Sequence, residues 1–184
     1  MRFVCLSFVL FTVAACANDD GYKPTGTGPA ASLICMSSGK NAFDTYGTTA
    51  FVAVNKAIFA NVGAEVTAHM STNVGDSFTK IGTGQPAATS DNAAQFEGAL
   101  GAFLVYVYGG PDSITYTDGQ VYSGMQDMAT AHTGLGITSA QYDYFVTSIV
   151  VPALTTSGVP MDDVSSCFAP PITSAAFKAT IVGK

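Results

Sequence analysis

The chain has 184 residues, 48% of them apolar and only 11% charged, with no tryptophan and a formal net charge of −6. That length suits one domain with a real core. An acidic chain without a basic stripe cannot neutralise phosphates, which excludes nucleic acid as a partner, and the scarcity of charge excludes a disordered acidic tail.

The N-terminus differs from the rest. "MRFVCLSFVLFTVAACANDD" opens with Arg2 and an apolar run from Phe3 to Ala15, too short for a comfortable transmembrane span of about 20 residues and suited to a secretory signal. Its end, Val13-Ala14-Ala15-Cys16, resembles the lipobox of bacterial lipoproteins. That resemblance implies lipidation of Cys16, which becomes the mature N-terminus and anchors the protein to a lipid bilayer in the cell envelope. The alternative is a soluble export signal cut after "AAC" or "ACA", giving a periplasmic or secreted protein. The organisation expected is a signal over 1–15, a flexible Gly, Pro and Thr-rich tether over 16–34 and a folded domain over 35–184.

Cysteine usage follows from that cut. Cys5 leaves with the signal and Cys16 carries lipid, so Cys35 and Cys167 remain. In an oxidising compartment they suggest one disulfide closing most of the domain, worth roughly 4 kcal/mol in the chain-entropy model. Two unpaired buried thiols are the alternative, since sequence does not show whether their Cβ atoms meet.

Along the domain, Phe51, Val54, Ile58, Phe59 and Val62 repeat at helical spacing, with Gly63 as the expected stop. The stretch from Ala64 to Asp91 is expected to be mostly loop, with one short helix at most. Asn92 with Gln95 three positions on marks a helix start, and Phe96, Leu100, Phe103, Leu104 and Val107 form its stripe up to Gly109-Gly110-Pro111. "DSITYTDGQVY" is expected as an irregular loop or a small hairpin. Met125, Met128 and His132 share one face of a short helix that stops near Gly134 or Gly136. Thr138 with Gln141 is a capping box opening a helix with the stripe Tyr142, Phe145, Val146, Ile149 and Val150, which Pro152 is expected to kink or shorten. "GVPMDDV" starts the last helix, with Pro160 in its first turn. The pattern gives an all-α domain.

Most kinds of chemistry lack residues. No G-x-S-x-G elbow appears, Asp162-Asp163 is a helix-start charge pair, and two histidines without a cysteine cluster or H-E-x-x-H cannot build a zinc site. A site needing a single protein ligand survives. Haem iron is one: a proximal His suffices while apolar side chains line the slot. His132, with Met128 one turn before it, suits that role, although a lone His on an apolar face also serves simply as a core residue.

The order of motifs adds to this. Gly109-Gly110-Pro111, Tyr122-Ser123-Gly124, "MATAH" ending at His132, "GLGIT", a helix with Tyr142 and Phe145, and then Gly158-Val159-Pro160 resemble the second half of a truncated haemoglobin of group I. The resemblance runs from about Ala93 to Val164. It implies a 2-on-2 globin fold, haem b with His132 as iron ligand, and binding of O2, CO or NO. Upstream the match is looser, Tyr46-Gly47 standing where the family has Gly-Gly. It sets Phe59, Phe96 and Leu100 at distal positions that are often Tyr or Gln, and Phe78 as the Phe covering the haem, with Phe145 also against it. None of these donates a hydrogen bond, so weaker preference for O2 over CO, faster O2 loss and easier autoxidation are expected; a one-residue slip would bring in Gln95. His69 or Met70 is a further distal candidate if its loop folds inward. NO or peroxide chemistry, redox relay and sensing are compatible with such a site. Two other readings stand beside it: a haem-free lipoprotein that keeps the helices for a structural role, and an unrelated exported β-rich domain suggested by Thr, Gly and "FLVYVY".

Overall fold

The computed structural model describes residues 22–87, 90–116, 119–123 and 127–184. The signal, Cys16, Gly124 and Met125 lie outside the described residues. Among the described residues the architecture is mostly helical with one two-stranded sheet, which removes the β-rich reading.

Asn41 caps the first helix, α1 (Ala42–His69), its side chain accepting from the Asp44 amide at 2.7 Å. Gly47 breaks it at φ 70°, so a short first piece precedes a long one. Phe51, Val54, Asn55, Ile58, Val62 and Glu65 form its buried face. That face continues past Gly63, which is why the expected stop does not occur: one mid-helix glycine costs about 1 kcal/mol, less than burying another turn gains.

α2 (Asp76–Gly82) is the single short helix in the segment expected to be loop. α3 (Ala93–Val107) starts on Asn92, whose side chain accepts from the Gln95 amide. It ends in a Schellman turn, with Gly109 N–H donating to Tyr106 O and Gly110 N–H to Val105 O. Gly109 has φ 94°, a conformation that a Cβ would strain. "FLVYVY" is thus helical, because cap, period and stop agree over 15 residues while strand propensity is a weak preference.

β1 (Ser113–Thr115) and β2 (Val121–Ser123) pair antiparallel, Ile114 opposite Tyr122, and pack on α3. α4 (Met128–His132) follows, capped by Asp127. Thr138 and Gln141 form the reciprocal capping box that opens α5 (Ser139–Tyr144). A π-helical turn (Phe145–Val150) then leads into α6 (Val151–Thr156). Pro152 therefore does not end the helix: Val151 N–H donates five residues back to Val146 O, and the wider turn makes room for the proline ring. The same device recurs after α7 (Met161–Asp163), where a π turn (Val164–Phe168) precedes Pro170-Pro171 in α8 (Ala169–Thr173). A further helix, α9 (Ala175–Ala179), lies beyond the one expected to be last.

α1 contacts α2, α3, α6 and the first π turn, so it runs through the middle of the core. Cys35 and Cys167, both fully buried, form a disulfide that ties the chain ahead of α1 to the second π turn. Residues 22–34, expected as tether, are packed against the domain. Tyr22 and Thr25 bond Asp44, Ala30 is 1% exposed, and a Cβ on Gly28 would stand 1.7 Å from Tyr106 O. Small residues here permit close backbone approach rather than flexibility.

Candidate functional site

An apolar cavity of about 200 Å³ runs between α1, α2, α3, α4 and the α5 helix. His132, Met128, Phe78, Phe96, Leu100 and Phe145 all line it, so residues spread over 68 positions of sequence meet at one site. Phe59 does not line it. Ile58 takes that place, and Phe59 stands behind, edge-on to Phe78 and Phe96 at 6.5 and 5.7 Å. Phe78 also packs on Phe96 at 5.3 Å and stacks on Phe145 at 5.6 Å, which joins α2 to the first π turn.

His132 sits in the last turn of α4, whose five residues include none that is buried. Its Nδ1 lies 2.8 Å from Met128 O. A carbonyl only accepts, so in the neutral imidazole Nδ1 carries the proton and Nε2 keeps its lone pair. No hydrogen bond to Nε2 occurs among the described residues. This is the arrangement by which a metal-binding imidazole is oriented: one nitrogen fixed to the backbone, the other left to ligate. Asp127 fixes the start of α4; donation from the Thr130 hydroxyl holds its carboxyl below the usual range, with the Ala129 and Thr130 amides adding to it. The loop after His132 is pinned by Gly136 N–H to Lys184 O and Gly183 N–H to Ile137 O.

The two phenols on the cavity wall are already engaged. Tyr108 donates to Phe168 O at 2.6 Å, and Tyr142 donates to Ile172 O. Burial pushes the Tyr142 phenol up to about 12, the Asp143 charge adding to it, and burial drives Tyr108 further upward. Gln141 holds the Thr138 amide through Oε1. Gln95 lies elsewhere, bonding the Asp91 amide in a separate cleft with Asn92 and Gln120. His69 and Met70 do not fold inward: the His69 side chain is 56% exposed and bonded to Glu65, and Met70 is 60% exposed.

Among the described residues no group of three or more His, Cys, Asp or Glu could hold a metal ion, and no helix is long and apolar enough to cross a membrane. Among the described residues the lining fits a single-ligand iron macrocycle only in part: His132 offers a nitrogen and the walls are apolar, but Asp76 is a carboxylate on the lining and no Lys or Arg stands there to pair with an acidic edge. At about 200 Å³ the cavity is smaller than the roughly 300–1,000 Å³ of pockets that enclose drug-sized ligands. As it stands the cavity is too small to enclose a macrocycle.

Sequence reasoning missed Tyr108, Phe168 and Ile172 as wall residues, and also Glu65, whose carboxylate gathers three donors near the cavity. Only the apolar stripes could have pointed to the first three, and they say that a residue is buried without saying around what. No protein-family model matches the chain, and neither a curated protein nor a solved structure matches it.

Proposed function

We propose that this chain is a haem-binding protein of the truncated-globin type that binds a diatomic gas, O2, CO or NO, with His132 as iron ligand. The observation that carries the reading is the His132 Nδ1 to Met128 O bond, which leaves Nε2 without a hydrogen bond among the described residues, on a side chain lining an apolar cavity. The order of elements supports it too: a break at Gly47 inside α1, a Schellman end to α3, a very short α4 bearing His132, then two long helical stretches. These are the features expected of a 2-on-2 globin.

Haem b, held by His132, would supply an iron atom able to bind a small gas. The chain's own part is to orient and exclude. Met128 O fixes the imidazole, Met128 and Leu100 offer apolar contact, and Phe78, Phe96 and Phe145 keep water out. Phe96 and Leu100 donate no hydrogen bond, and the hydroxyls of Tyr108 and Tyr142 are committed to carbonyls. Phe96 and Leu100 would therefore give bound O2 no hydrogen bond, and weaker retention of O2 than in a pocket with Tyr or Gln at those positions would be expected. In this reading a lipid on Cys16 anchors the protein in the envelope; changing Cys16 to Ala should release it from membranes, and continued retention would count against the anchor.

The test is an absorption titration of the purified chain with haemin. A Soret band saturating at one haem per chain, shifted on reduction under CO, is the expected result; absence of the band rejects the proposal. A second reading, a haem-free fold with a structural or interaction role, is favoured by the small cavity and the closed Phe59, Phe78, Phe96, Phe145 cluster. It predicts that haemin neither saturates at one equivalent nor raises the melting temperature.

A further inference from the structure

Glu65 lies on the buried face of α1, 8% exposed, and plays no part in the site described above. Three donors converge on its carboxylate. Asn73 Nδ2 stands 2.7 Å and His69 Nδ1 2.9 Å from Oε1, and the Tyr144 hydroxyl is 2.7 Å from Oε2. Tyr144 belongs to α5, and Asn73 sits in the strap of residues 70–75 that joins α1 to α2. The carboxylate thus bridges two helices and a loop.

The strap is under tension at one end. Met70, its first residue, has φ 54°, the one positive φ outside glycine among the described residues, and such a conformation persists only when its surroundings enforce it. Further along, Val74 is 5% exposed and lines the cavity with Gly75, followed by Asp76, Ser77 and Phe78. The strap is thus a wall of the site. Two kinds of side-chain bond hold it to the helices among the described residues. Gln141 Nε2 reaches Ser71 O and Thr72 O at 3.5 and 3.4 Å, at the outer limit of hydrogen bonding, while the Asn73 bond to Glu65 is short and charge-assisted.

We propose that Glu65 is a positioning residue that latches the strap against α5, and that release of this latch opens the cavity wall through which the ligand enters. The identity of that ligand rests on the haem reading; the latch does not. Among the described residues, this strap is the stretch of wall held by one short side-chain bond beside a strained residue.

Hydrogen exchange on the full chain without haem reads the latch directly. The Gly75 amide bonds Ser71 O at 2.9 Å and the Thr72 amide bonds His69 O at 3.3 Å, so both report on strap opening. Glu65→Ala and Asn73→Ala should each speed exchange at these amides about tenfold, the loss of one charge-assisted bond, with α3 amides unchanged. The double variant should exchange no faster than Glu65→Ala, because both changes break the same bond. Haemin uptake should quicken in the same variants. Asn73 is half-buried on the strap, so its variant remains informative if Glu65→Ala folds poorly. Unchanged exchange at Thr72 and Gly75, equal acceleration in α3, or additive effects would overturn the latch. Failure of the native chain to take up haemin would defeat the haem reading alone, since the exchange comparison judges the latch without it.

Discussion

Around the disulfide the chain is held by covalent, hydrogen-bonded and aromatic contacts at once, whereas around His132 it is held by a five-residue helix with no buried residue and by a strap with one short side-chain bond among the described residues. At the first end Asp163 is fully buried and accepts from the Ser37 amide, the Ser37 hydroxyl and the Tyr46 hydroxyl. Phe168 packs between Tyr46, Phe51 and Tyr108 with centroids 5.1 to 5.9 Å away. At the second end most polar groups serve local caps. The difference teaches where a small domain can place mobility: one end carries the stability, which leaves the other the easier to open.

Breaking the locked end should have the largest effect. Replacing Cys35 and Cys167 together by Ser should remove about 4 kcal/mol of stability, read by calorimetry as a lower melting temperature. Equal stability of the reduced and oxidised chains would contradict the picture.

Next comes Asp163. Burial opposes its ionisation, but donation from Ser37, Tyr46 and the Met36 amide outweighs that and holds the carboxyl below the usual range. Because its folded pKa is depressed, its contribution is complete above the ordinary carboxylate pKa and is lost as pH falls through the folded value. Asp163→Ala should cost about 3 kcal/mol at neutral pH by stranding the Tyr46 and Ser37 donors. Urea titrations should show that gap narrowing as acid protonates the native side chain; a gap independent of pH would remove the ionic part of the argument.

At the open end the effects move from stability to ligand. Leu100→Gln, which adds a donor to the cavity wall, should slow O2 release about tenfold, the value of one hydrogen bond. Stopped-flow release rates equal to the native ones would mean that Leu100 is not beside the gas. The smallest expected change in stability belongs to His132→Ala, under about 1 kcal/mol because α4 buries nothing. A large loss there would make His132 a structural residue and erase the contrast between the ends.

How much of this could be read from sequence depended on distance along the chain. The Asn92 cap, the Thr138–Gln141 box and the Gly109-Gly110 stop were legible because each rule spans four or five residues. The apolar stripes located the helices, and His132, Met128, Phe78, Phe96, Leu100 and Phe145 do line one cavity. Phe59 fell one layer short, since a helical turn places its neighbour Ile58 on the cavity. The 22–34 segment looked like a tether because small residues that allow tight packing also occur in linkers. The Asp163 network was invisible for a different reason: its donors lie 117 and 126 residues away, and no local pattern announces such a meeting. The Glu65 latch was hidden in the same way, Tyr144 being 79 residues off. The π turns were concealed because the prolines that cause them ordinarily end helices.

The most direct test of the central claim is chemical rescue at His132. His132→Gly loaded with one equivalent of haemin should lose the ordered Soret band of the native chain, and millimolar imidazole should restore it by supplying the missing nitrogen to the same cavity. A band that persists in His132→Gly without imidazole, or a native chain that forms none, would contradict the assignment of His132 as the iron ligand.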